Sequence, residues 1–149
     1  MARRLCLLVV ALLAWTTSAG AVSRDDPAYE RANALLAQSI PPYPRARLLV
    51  EETVGGEADA AKFEAVQRIY FLARPTGQRA AIAFYRTRLG TAWRRADPVC
   101  LTSGSRLLVA LVEPRRRRIG VLIDSRGARR CRALAGLIGD LLDVGYPNP

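Results

Sequence analysis

The sequence predicts an α+β domain: an antiparallel sheet of four to five strands with helices packed on one face, in two layers. Three observations carry this. Residues 106–113 and 117–124 are apolar runs separated by a Pro-Arg turn, the signature of a hairpin. Residues 47–54 and 63–73 make a second pair of β-like runs around a glycine-rich break. Helical periods lie before, between and after these pairs, so hairpins alternate with helices.

The elements follow in order. Asp26-Pro27 opens a helix, because Asp26 can cap it and proline suits the first helical position; Tyr29, Ala32, Leu35, Leu36 and Ser39 then keep helical spacing. Pro41, Pro42 and Pro44 force the chain out of helix. The strand from Arg47 to Val54 places Leu48, Val50 and Val54 on one face, and residues 55–59 are expected to form a polar loop. A second strand runs from Phe63 to Ala73. Thr76 is the expected cap of a helix ending at Gly90, with Ile82, Tyr85 and Leu89 in one stripe and Arg79, Arg86 and Arg88 toward water. Trp93 returns the chain to sheet, Cys100 lies on or beside a short strand, and the 106–124 hairpin follows. Residues 128–144 close the chain with Cys131, Leu134, Leu137, Ile138, Leu141 and Leu142 at helical spacing.

The amino terminus predicts export. Arg3 and Arg4 precede an unbroken apolar run from Leu5 to Trp15, and the small residues end in Ala19-Gly20-Ala21. That is the layout of a signal peptide cleaved after Ala21, with an uncleaved membrane anchor as the alternative reading. Cys6 lies inside the run, which argues against lipidation. The expected organisation is therefore a signal peptide over 1–21, a helix with a proline-rich connector over 22–45, and a single α+β domain over 46–149. Cleavage leaves Cys100 and Cys131 as the only thiols, and in an oxidising compartment such a pair is expected to form a disulfide.

Composition narrows the chemistry. The 149 residues include 23 basic and 13 acidic side chains and no histidine, for a formal charge of +10. The lack of histidine removes Ser-His-Asp and Cys-His mechanisms and every imidazole-dependent zinc site. Only Lys62 among the basic residues is lysine, and so strong an arginine bias beside abundant alanine also arises from a GC-rich genome.

The stretch Pro42-Tyr43-Pro44-Arg45-Ala46, then Ala83-Phe84-Tyr85-Arg86-Thr87-Arg88-Leu89 and Trp93, resembles small exported bacterial proteins and lipoproteins. In them a Tyr-Pro-Gly-Ala segment precedes the first strand, and a Phe-Tyr-Arg-x-x-Leu helix leads into Gly-Trp. The likeness spans about residues 41 to 124, with Arg45 in place of the glycine and Ala92 before the tryptophan. It implies the α+β fold and export, and no activity.

Catalytic devices are scarce. Glu51 and Glu52 are strand neighbours and point to opposite faces; Asp140 and Asp143 sit near a helix end; Glu57 and Asp59 offer too few ligands for calcium. Ser103-Gly104-Ser105 lacks a base, and Gly136 and Gly139 belong to an apolar helix rather than a phosphate loop. No catalytic residue, metal or cofactor is expected, and a carboxylate hydrolase is the remote enzymatic alternative.

Arginine stands out instead. Arg115, Arg116, Arg117 and Arg118 occupy a hairpin tip, and Arg126, Arg129, Arg130 and Arg132 cluster where the last helix begins. Cations at that helix end oppose the helix dipole, an arrangement that makes sense if an anion bridges them. The sequence therefore predicts a non-catalytic exported domain that binds an anionic wall polymer or acidic lipid through Arg115–Arg118, Arg129 and Arg130. Nucleic acid is disfavoured, since aromatic stacking residues are not interleaved with the charges. The competing expectation is a structural or protein-interaction module whose arginines serve solubility.

Overall fold

The computed structural model describes residues 26–58, 61–144 and 146; the predicted signal segment and its cleavage point after Ala21 lie outside them. Asp26 caps α1 (Pro27–Ser39) by accepting from the backbone N–H groups of Ala28 and Tyr29 at 3.1 and 3.2 Å. After the prolines come β1 (Ala46–Ala58) and β2 (Ala61–Leu72), then α2 (Gln78–Leu89), β3 (Arg94–Asp97), β4 (Cys100–Ser103), β5 (Arg106–Glu113), β6 (Arg118–Asp124) and α3 (Cys131–Asp143). All pairings are antiparallel, and the sheet runs β1-β2-β6-β5-β4-β3. The α+β class holds, with six strands in place of the expected four to five.

The expected single helical face does not hold. Leu36, Ala37 and Ile40 from the α1 end and Ala81, Ile82 and Tyr85 of α2 share one core with Val66, Tyr70, Leu108, Ala110, Ile119, Val121 and Ile123. Leu134 and Ile138 of α3 share another with Phe63, Ala65, Leu107, Val109 and Leu122. The strand residues of the two cores alternate along the chain, so the cores lie on opposite faces and the domain has three layers. The reason is legible in β5 and β6, which are apolar at nearly every position. A strand without a polar face cannot leave either side in water. Leu134 and Ile138 each contribute roughly 2 kcal/mol by leaving solvent.

Three local expectations shift. The glycine break at 55–59 is strand as far as Ala58: Gly55 pairs with Glu64 and Gly56 with Phe63, because the ladder propagates through both. Gly77 rather than Thr76 occupies the cap position of α2. In α1 Leu35, expected at helical spacing with Leu36, is exposed and Asn33 is buried instead, while Leu36 and Ile40 pack this segment onto the main core. The Asn33 amide donates to the Glu64 carbonyl at 2.8 Å and accepts from Ser125 N–H at 2.7 Å, which fastens α1 across β2 and β6.

Two backbone positions have measurable consequences. Arg45, which stands where the resembled pattern has glycine, adopts φ 56°. An L side chain is disfavoured there, so Arg45→Gly is expected to leave stability unchanged or raise it by up to about 1 kcal/mol in denaturant unfolding, despite glycine's greater unfolded-state entropy. A loss of 1 kcal/mol would show that the Arg45 side chain contributes more than its backbone costs. Gly120, at the centre of β6, lies beneath α3: an added Cβ would fall 2.6 Å from Ile138 Cγ1 and 3.3 Å from Leu142 Cδ1. Gly120→Ala is expected to cost about 2 kcal/mol. In a double-mutant cycle Ile138→Ala should recover about 1 kcal/mol of that, and strict additivity would contradict the contact.

Candidate anion-binding site

The four arginines of the hairpin tip separate once folded, because Arg115, Arg116 and Arg117 lie in the turn, with Arg117 at φ 51°, and Arg118 opens β6. Arg116 donates to the carbonyl of Leu142 at 3.0 Å and to that of Asp143, whose carboxylate lies 3.8 Å away. Arg118 is buried, donates to the carbonyls of Val144 (3.1 Å) and Tyr146, and lies 5.5 Å from the centre of the Tyr146 ring. Both therefore cap the carboxyl end of α3, whose last turn has no basic residue of its own. The arrangement suits the fork of a guanidinium, which offers several donors to carbonyls that carry partial negative charge. Arg117 turns away and stacks over Phe71 at 4.7 Å. Arg115 is exposed, and its backbone N–H bonds the Glu113 carboxylate at 3.1 Å. Arg68 repeats the capping pattern at α1, donating to the Ile40 carbonyl at 2.9 Å and pairing with Glu51.

At the start of α3 one arginine of the cluster, Arg130, faces an anion, and that anion is the protein's own carboxylate. Asp124, fully buried, accepts from the Tyr29 hydroxyl at 2.6 Å and from the Arg126 backbone N–H at 2.8 Å. Arg130 lies 3.5 Å from its second oxygen. Burial and the bond to Asp124 raise the Tyr29 phenol above its ordinary pKa, which keeps it a neutral donor. Arg126 stacks on the Tyr29 ring at 4.4 Å and pairs with Asp26 at 2.9 Å. That side-chain bond from Arg126, with the cap bond from Tyr29 N–H, holds the Asp26 carboxyl below the usual range. Arg129 and Arg132 are exposed. The adjoining cleft, of about 580 Å³, is electrically balanced: Asp26, Glu57 and Glu64 face Lys62, Arg126 and Arg130.

A third group of arginines lies elsewhere. Arg86 on α2 and Arg94 and Arg95 on β3 line a cleft of about 690 Å³ together with Thr87, Gly90, Thr91, Trp93 and Ala83. No carboxylate stands in its wall. Among the described residues, none of these three guanidinium groups has an ion pair or a hydrogen bond in the structure. Nearby Arg79 and Arg88 are exposed on α2, a helix with no acidic residue, and Arg106 covers the Trp93 ring at 5.5 Å. The signal for this side was present in charge arithmetic: residues 65–123 hold twelve arginines against two acids, Asp97 and Glu113. Arg115–Arg118 are contiguous along the chain, whereas the unneutralised surface is assembled from a helix and an edge strand.

The weaker acidic candidates also have partners or positions now. Glu52 accepts from Gln67, Glu51 pairs with Arg68 at 2.5 Å, and Asp140 is exposed. Among the described residues no group of three His, Cys, Asp or Glu could hold a metal ion, and no helix is long and apolar enough to cross a membrane. Cys100 and Cys131 form a disulfide that joins β4 to the first residue of α3. No protein-family model, curated protein or solved structure matches the chain.

Proposed function

We propose that this is an exported, non-catalytic domain that docks on an anionic envelope surface, acidic lipid or polyanionic wall polymer, through the arginines of its α2–β3 side. The observation that carries the reading is the uncompensated charge there: Arg79, Arg86, Arg88, Arg94 and Arg95 stand exposed within a stretch almost free of acids. Such a surface draws anions from a distance and loses its hold as salt screens it. The disulfide supports an oxidising compartment, in keeping with the signal-like amino terminus. The anion contact predicted for Arg116, Arg118 and Arg130 is replaced in this reading, since helix carbonyls and Asp124 occupy those groups. Arg115 and Arg129 remain peripheral contributors.

Cosedimentation with phosphatidylglycerol vesicles or with a polyanionic wall polymer tests the proposal. Binding is expected to weaken steeply between low and high salt, and to fall at least fivefold in Arg79→Glu/Arg88→Glu, two positions outside the cleft. Binding to neither material, or binding indifferent to both salt and charge reversal, would overturn it. The latter result would favour the second reading, a structural or protein-interaction module. That reading draws its own support from the arginines that serve as internal caps, Arg68, Arg116 and Arg118.

A further inference from the structure

We infer that the α2–β3 cleft is a discrete site for a phosphate group carried on a larger molecule. This rests on the anionic-surface reading and sharpens it from a charged face to one pocket. Arg86 and Arg95, with Thr87 and Thr91, line a single concavity with no acid; Arg94 borders it but, one residue from Arg95 along the strand, turns its side chain to the opposite face. A phosphomonoester carries about 1.5 to 2 negative charges at neutral pH and three strong acceptor oxygens, a match for guanidinium forks offered by two different elements. Arg95 and Trp93 alternate to the α2 side of the sheet, since Arg95 is paired with Leu101, whose side chain belongs to the α1–α2 core. Arg86 meets them from the last turn of α2.

The carboxyl end of α2 offers a competing explanation for one of these cations. A basic residue in a last turn offsets the helix dipole, and Arg86 and Arg88 both stand there. It does not explain Arg95, which belongs to β3, an edge strand flanked by β4 alone. Charged edge residues discourage strand-to-strand association, which accounts for Arg94 but not for a second arginine turned toward α2. Arg95 and Arg86 beside two threonines around one volume bring guanidinium forks from two elements to one place, as a phosphate site requires. At about 690 Å³ the cleft lies within the range of small-molecule sites and is roomier than a bare phosphate needs, so the rest of the ligand has space beside Trp93 and Ala83.

The experiment is an NMR titration of the full exported protein, reading arginine Nε–Hε and threonine backbone signals, at fixed ionic strength. The probes are glycerol 1-phosphate, sodium acetate as a singly charged control, and phosphatidylglycerol vesicles. Saturable shifts confined to Arg86, Thr87, Thr91 and Arg95 are expected with glycerol 1-phosphate and not with acetate. Arg86→Gln/Arg95→Gln should weaken the affinity at least tenfold, and Arg115→Gln/Arg129→Gln should leave it within twofold. Saturation with the soluble probe marks a mobile phosphomonoester as the source. The same residues responding only to vesicles marks a lipid headgroup, and either result supports the site. Shifts spread over all exposed arginines, or equal for acetate, would overturn the pocket while leaving the charged-face reading intact. That broader reading fails separately, through Arg79→Glu/Arg88→Glu.

Discussion

Asp124→Ala is expected to cost about 3 kcal/mol, a loss of the size seen when one partner of a buried ion pair is removed. The substitution removes the acceptor of the Tyr29 hydroxyl and of the Arg126 N–H, and leaves Arg130 without its counterion in a largely buried position. The pair itself contributes little net energy, because burying both charges costs nearly what their attraction returns. Removing one partner exposes the whole desolvation cost of the other. Equilibrium denaturation at neutral pH measures it, and a loss below about 1 kcal/mol would mean that water readily replaces the carboxylate. The pH profile offers a second readout. Burial first and the Asp124 bond second raise the Tyr29 phenol above its usual 10.0. Below that value both folded and unfolded chains hold the proton. Above it the unfolded chain releases its proton first, so Tyr29's contribution is lost as pH rises from 10 through the higher folded value. Tyr70 and Tyr85, raised chiefly by burial, steepen the same alkaline decline. Asp124→Ala should make the slope shallower, because one cause of the Tyr29 shift is gone.

Breaking the Cys100–Cys131 bridge should cost a comparable amount, about 3.5 kcal/mol on the chain-entropy account for a separation of 31 residues. Cys100→Ala/Cys131→Ala is the suitable pair of changes, since serine would put a hydroxyl at Cys100, which is fully buried. The midpoint of denaturant unfolding is expected to fall for the variant and for the reduced wild type alike. A reduced protein as stable as the oxidised one would show that the bridge relieves no unfolded-state freedom. The loss should be felt first in α3. Its cap residue, Arg130, makes no side-chain cap bond, so the helix depends on help from outside: the disulfide at its first residue, Gly120 beneath its middle, and Arg116 and Arg118 at its end.

The readings of sequence that held are local ones. Asp26 and Pro27 start α1 because a capping carboxylate and a pre-set φ act within three residues. The 106–124 hairpin follows from two apolar runs and a turn too short for any other path. The pairing of Cys100 with Cys131 follows from these being the two cysteines outside the amino-terminal apolar run. The glycine break failed because a strand ladder is cooperative, and its partner strand carried Gly55 and Gly56 with it.

By itself, then, the sequence determined the α+β class, the order of helices and hairpins, the bridge and the excess of positive charge. Tertiary structure alone decided the sheet's two covered faces and the fate of each arginine. Four consecutive arginines look identical along a chain. Folded, Arg116 reaches a carbonyl 26 residues away, Arg117 a ring on β2, and Arg118 the end of α3. Arg130 meets a carboxylate that Tyr29 holds from 95 residues earlier. A guanidinium gains as much from a helix end or a buried aspartate as from a ligand, and which of these it finds depends on contacts between distant segments, to which local propensity is blind.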